Sequence, residues 1–279
     1  MTFPENEYLA YRIVQFLVSQ YYSQGYFDIY NIYLSNAIEW LDMCSGLEKV
    51  QIAPNKYDEG LLYCGNVWNY SVSKTELSSK LSTELVRFLF AWGALESLIK
   101  VMVSTKKIKK YGKINALCGY LKEHNLSNLL PAGYLNEYEH MIALLRESVG
   151  YEDVLFDLKM ETQTRFSHKE YVDISGIGVY VVSKIRNDFV HGQMQFPEPE
   201  EYSGEQSSNV ELIHTATRIT LMTILTLLIS EIKDNDFILE DAPDDGMEHS
   251  ALLYLRNLCS YYSDTISGQL KVEDIVDIL

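Results

Sequence analysis

Cysteine is scarce and scattered in this chain. Its four cysteines (Cys44, Cys64, Cys118 and Cys259) form no Cys-x-x-Cys pair in 279 residues. That pattern excludes a zinc ribbon and a disulfide scaffold, and fits reduced thiols in a cytoplasmic protein. Basic residues are also in short supply. Lys and Arg number 23 against 39 Asp and Glu, for a net charge of −16 and a pI near 4.8. Phosphate binding runs on Lys and Arg, so a general nucleic-acid coat is excluded. Any nucleic-acid role has to be local, or has to rely on a partner. The opening "MTFPENEYLAYR" lacks a basic region followed by an apolar run, so no signal peptide is expected. The most apolar run, "ITLMTILTLLIS" (219–230), is shorter than the roughly 20 residues that span a bilayer. It predicts a buried core helix and no membrane partner. Strand signals are scarce, and internal repeats, a Gly-rich phosphate loop and a Gly-x-Ser-x-Gly elbow are missing. His124, His140, His168, His214 and His249 lack partners at metal-ligand spacing, and no metal or other cofactor is expected.

What is present is helical periodicity. With 47% hydrophobic and 22% charged residues, the chain is long enough to bury a large core. Residues 6–24 and 27–44 read as two helices, and 46–72 as a loop or short hairpin. A long helix is expected from Thr75 to about Thr105. Its apolar face comprises Leu81, Leu85, Phe88, Leu89, Trp92, Leu95, Leu98, Ile99 and Met102, at spacings of three and four. Further helices are predicted at 111–125, 132–148, 171–191, 208–233 and 247–263. The acidic stretches 193–208 and 234–248 read as solvated loops. The fold class is all-α.

Chemistry concentrates in "SKIRNDFVHG", residues 183–192. On a helix over 171–191, Ile174, Val181, Val182, Ile185 and Phe189 fall in one apolar stripe. Asn187 and His191 lie nearly opposite, with Arg186 at the edge. Gly192 suits a helix C-terminus that closes in the left-handed conformation. A histidine can donate a proton in one step and take one in another. Arg186 can make forked hydrogen bonds to phosphate oxygens, and Asn187 can orient either partner. About 7.5 Å of helical rise separates Arg186 from His191, which their side chains can bridge around one phosphate. The set suits acid–base chemistry at a phosphodiester. A helix end capped by polar residues is the plainer explanation.

"IRNDFVHG" resembles the Arg-x4-6-His motif of the HEPN family, whose commonest form has Asn directly after the Arg. The helix "RFLFAWGALESLIK" (87–100), with Ala94-Leu95-Glu96, is similar to the first core helix of its Apea-like branch. The resemblance covers about 76–235. It leaves residues 1–75 as an N-terminal helical region and 236–279 as an acidic loop with a short C-terminal helix. It implies a HEPN-type helical bundle that dimerises through its motif helices, so that two copies of Arg186 and His191 share one composite site. It also implies a metal-independent endoribonuclease that acts as a toxin or in antiviral defence. There the ribose 2′-OH attacks the adjacent phosphate, His191 does acid–base work, Arg186 stabilises the phosphorane and Asn187 positions one of them. RNA is the expected substrate, with transfer RNA a plausible target, and an antitoxin or regulatory protein an expected partner. Paired HEPN toxins often carry Tyr two places after the His as a modification target; Gln193 stands there in this chain. A catalytically silent HEPN module that binds RNA or a partner protein is the alternative.

Supporting roles fall to Glu96, which could hold Arg186, and to Asp188 beside the motif. Six lysines lie between residues 100 and 113. Among them Lys106, Lys107, Lys109 and Lys110 are the expected RNA-binding patch, with a solvated turn as the other reading. Most of the 21 tyrosines sit at helical spacing and are expected to pack in the core and interfaces.

Overall fold

The computed structural model describes residues 5–24, 31–53, 65–148, 172–192, 198–199, 208–232, 238–239, 249–250, 255–256 and 258–259. Among these the fold is an all-α bundle. Its helices are α1 (Asn6–Gln24), α2 (Asn31–Gly46), α3 (Gly65–Met102), α4 (Thr105–Tyr111), α5 (Lys113–Glu123), α6 (Tyr134–Glu147), α7 (Ile174–Val190) and α8 (Ser208–Ile232). A 3-10 turn, Leu126–Leu129, precedes α6. Strand structure is confined to an antiparallel pair, β1 (Ile238–Leu239) with β2 (His249–Ser250).

Helix α8 is the centre of the bundle. Every side chain from Thr215 to Ser230 is buried. The helix is long and apolar enough by composition to cross a membrane, but here protein surrounds it. It packs against α1, α3, α5, α6, α7 and the 3-10 turn. Its buried hydroxyls stay paired by bonding back one turn: Thr217, Thr220, Thr223 and Thr226 donate to the carbonyls of Ile213, Ala216, Ile219 and Met222 at 2.7–2.9 Å. The core-helix expectation for this run is met.

The 38 residues of α3 make a rod about 57 Å long. It begins at Gly65, so the expected loop over 46–72 extends no further than residue 64, and α3 runs through the boundary drawn at residue 75. Residues 47–53 lie outside helices and are pinned to α3: Val50 N–H donates to Thr83 Oγ1 at 3.0 Å and Ile52 N–H to Ser79 Oγ at 3.2 Å. Most of the predicted apolar face is buried, but Leu89 is 39% exposed and Met102 half-buried. Helices α2 and α8 both pack against α3. Leu89 and Glu96, seven residues apart, fall on one stripe of it.

The helix expected over 111–125 is α5, and a further short helix that was not expected, α4, lies between it and α3. Gly112 separates them with φ 81°, a conformation open to glycine, and its N–H closes α4 on Ile108 O at 2.9 Å. The helix expected over 247–263 is also corrected. His249 and Ser250 pair as a strand, and only 255–256 are helical among the described residues there. Leu255 and Cys259 are nevertheless buried, and Ala132 N–H donates to Arg256 O at 3.0 Å. Cys44, Cys118 and Cys259 are free and buried, and burial pushes the thiols of Cys44 and Cys259 up to about 12. These sulfurs are packing groups, not nucleophiles.

One charged network crosses this core. Arg87, 3% exposed, pairs with Glu7 of α1 and Glu84 of α3, and donates to Leu47 O at 3.0 Å. His214 Nδ1 lies 3.1 Å from Glu84. Asn6 Nδ2 donates to His214 O at 2.9 Å, and Asn6 Oδ1 accepts from Arg218 Nε at 3.2 Å. Arg218 in turn lies 3.5 Å from Glu137 of α6. Burial alone raises the Glu84 carboxyl, but the bond from His214 and the charges of His214 and Arg87 outweigh it and hold Glu84 below the ordinary range. The network joins α1, α3, α6 and α8, so the N-terminal helices share one core with the rest.

Two outcomes follow. Arg87→Met leaves two carboxylates without their buried cation and is expected to cost about 3–5 kcal/mol in urea unfolding. Glu84 is more acidic when folded, so its stabilisation is present above the ordinary carboxylate range and is lost as pH falls through and below it. The stability gap between wild type and Glu84→Gln is therefore expected to shrink on acidification. A gap that stays constant with pH would contradict this account.

Candidate functional site

The motif helix α7 is placed by its ends and by two glycines. Asp173 caps the start, accepting from Ser175 N–H at 2.9 Å. A Cβ on Gly176 would meet Cys118 of α5 at 3.0 Å. A Cβ on Gly178 would meet Tyr134 Oη of α6 at 2.5 Å and Ile219 Cγ2 of α8 at 3.0 Å. These contacts let α7 sink into the bundle, and every residue from Ile174 to Ser183 is buried. The single apolar stripe expected here is thus corrected. The first three turns are buried all round, and only the last turn and a half is two-sided.

That last part carries the motif. Arg186 is half-buried, Asn187 and His191 are exposed, Phe189 packs partly on the core, and Val190 is 49% exposed. The helix closes as the sequence suggests. His191 N–H donates to Asn187 O at 2.9 Å, Gly192 N–H to Phe189 O at 3.1 Å, and Gly192 has φ 71°. Arg186 Nη1 lies 3.4 Å from Asn187 Oδ1, a long bond. Arg186 Nε is buried without a hydrogen-bond partner among the described residues. Among the described residues, no carboxylate forms a fork with this guanidinium.

Glu96 of α3 does lie near Arg186, whose charge helps to lower its carboxyl. Its bonds go elsewhere. Trp92 Nε1 donates to Glu96 Oε1 at 2.9 Å, and Lys113 Nζ pairs with Glu96 Oε2. Burial raises this carboxyl, while Lys113, the Trp92 indole and Arg186 together hold it below the ordinary range. Glu96 thus ties the start of α5 to α3, and its bonds among the described residues do not go to Arg186. Lys113 and Trp92 complete this arrangement; the first lay in the basic run and the second in the aromatic run, without a pattern that singled them out. Asp188 is half-buried beside the motif.

The lysine cluster sits on α4, a helix and not a turn. None of its residues is buried, and Ile108 alone leans on the core. Lys106, Lys109 and Lys110 are exposed, while Lys107 pairs with Glu123 of α5. Since α4 leads directly into Lys113, and Lys113 into Glu96 beside Arg186, the basic helix and the motif share one end of the bundle. That end combines exposed cations, a half-buried guanidinium and an exposed imidazole. It suits an anionic, hydrogen-bonding ligand such as a phosphodiester.

Gly178→Ala gains helix propensity but drives a methyl against Tyr134 and Ile219. It is expected to destabilise by about 1–3 kcal/mol in denaturant. Gly192→Ala meets open space, yet strains φ. It is expected to lower amide-exchange protection in the last turn of α7 and to leave α8 unchanged. Compared with known proteins, the chain matches no family model, no curated protein and no solved structure.

Proposed function

We propose that the chain is a HEPN-type, metal-independent endoribonuclease, with Arg186, Asn187 and His191 as its reacting set. The observation that carries this reading is the end of α7. A buried helix carries an exposed imidazole, an exposed amide and a half-buried guanidinium in its last turns, near Glu96, whose partner Lys113 directly follows the lysine-rich α4. In the reaction the 2′-oxygen forms a bond to phosphorus as its proton leaves to an imidazole. The bond from phosphorus to the 5′-oxygen breaks, and that oxygen takes a proton from an imidazolium. A second copy of His191, supplied by a homodimer joined through the motif helices, lets one imidazole act as base and the other as acid. Arg186 donates to the non-bridging oxygens as charge builds on them. DNA lacks the 2′-OH and is left intact. The resemblance of the motif to HEPN toxins makes a cytoplasmic toxin or antiviral effector, restrained by a partner protein, the biological role we favour. A small structured RNA is the favoured target, because one basic end on an acidic protein suits a compact ligand better than a long coat-like site.

The test is incubation of wild type and His191→Ala with total cellular RNA in EDTA, followed by analysis of fragment ends. Fragments bearing 2′,3′-cyclic phosphate are expected from the wild type, with at least a hundredfold less from His191→Ala. Equal cleavage by both proteins rules out His191 as the acid–base group. RNA that is bound but uncut by folded, dimeric wild type favours the silent binding module instead.

A further inference from the structure

The exposed end of α4 holds a feature that phosphate chemistry alone does not use. Tyr111 closes the helix with its ring 47% exposed. Its backbone is fixed on both sides: Gly112 turns the chain at φ 81°, and Asn115 Nδ2 donates to Tyr111 O at 3.1 Å. Lys110 Nζ lies over one face of the ring, 4.6 Å from its centroid. At 100° per residue, Lys106 and Lys110 lie about 40° apart on the side away from Ile108, with Lys107 and Tyr111 next along the arc. The helix therefore presents a band of ammonium groups that ends in an exposed aromatic ring. Two residues further on, Lys113 pairs with Glu96, beside Arg186.

We propose that α4 recognises an unpaired stretch of RNA next to the scissile phosphate, with Tyr111 stacking on a base and Lys106, Lys109 and Lys110 holding the flanking phosphates. This rests on the endoribonuclease reading and adds to it the form of the substrate. Stacking requires a free base face. A-form duplex hides its base faces between neighbours, so a double helix could use the lysines but not the ring. An acidic peptide likewise satisfies the lysines and leaves Tyr111 idle. A single strand uses both, since aromatic stacking and phosphate contacts combine in single-strand binding.

The experiment uses the full chain carrying His191→Ala, to suppress turnover. Binding of a labelled uridine-rich oligoribonucleotide of about twelve nucleotides, and of a duplex of the same length, is followed by fluorescence anisotropy at several salt concentrations. The single strand is expected to bind more tightly. Tyr111→Ala is expected to weaken it about tenfold, in line with the loss of one stacked base, while Tyr111→Phe stays within about twofold. The double variant Lys109→Gln, Lys110→Gln is expected to lower the salt slope for the single strand by about 1.4, which Tyr111→Ala does not change. Circular dichroism confirms that each variant is folded. The proposal is overturned if Tyr111→Ala binds like its parent, if Tyr111→Phe is as weak as Tyr111→Ala, or if the duplex binds as tightly as the single strand. It is also overturned if a glutamate oligopeptide competes as well as RNA, which points to an acidic protein partner. If the parent binds neither RNA form, the endoribonuclease reading falls as well. If it binds both and Tyr111 makes no difference, that reading survives and the stacking role alone fails.

Discussion

The whole bundle depends on burying one helix completely. From Thr215 to Ser230 no side chain of α8 reaches solvent, so the chain has to supply apolar surface on every side of it. A helix satisfies its own backbone, which is why it can be enclosed where a loop cannot. The four threonines spaced three apart remove the remaining difficulty by bonding back to their own helix. Enclosure then dictates the other parts. Helices α1, α3, α5, α6 and α7 are arranged round α8, and α2 rests on α3 outside them. The N-terminal helices are thus part of the wall, and the Arg87 network fastens α1 to α3 and α8 where the wall admits charge.

The motif inherits its position from that enclosure. α7 can be drawn in because Gly176 and Gly178 let Cys118, Tyr134 and Ile219 approach the backbone. It comes out only where the sequence turns polar. Asp173 fixes one end and Gly192 the other, so the phase at which Arg186, Asn187 and His191 emerge is set from both sides. A helix anchored along three buried turns holds its exposed end more firmly than a loop does, which is what a reacting constellation requires.

Legibility in the sequence followed the strength of the local signal. Helices α1, α6, α7 and α8 were read to within a few residues, because periodicity and capping residues agreed, as with Tyr134–Glu147 against 132–148. The start of α3 was missed because Gly65 and the aromatics after it suggest a loop; Val67, Trp68, Tyr70 and Val72 stay exposed in the helix, so no buried apolar face marks its first turns. The short helix α4 was missed because its run of charged lysines, with Ile108 alone on the core, shows no apolar periodicity. The exposure of Leu89 and the burial of α7 on all sides are questions of which neighbours arrive, and periodicity within one helix carries no information about them. At the site, the C-terminal glycine turn was legible from Gly192 alone. The bonds of Glu96 were not, since its partners Trp92 and Lys113 are ordinary in sequence and significant only in space.

An acidic chain with one basic end has a consequence for how it meets an anion. The net charge of −16 repels a polyanion from most directions, and the short Debye length at physiological salt limits each attraction to its own neighbourhood. On the proposed reading, binding is favourable where Lys106, Lys109, Lys110 and Arg186 act together, and the surrounding acid discourages any pose that extends far from them. The same repulsion that excludes a coat-like protein would then sharpen a local one. Under that proposal it confines a bound phosphodiester to the edge where α7 presents His191, and couples where the ligand rests to where the proposed chemistry occurs.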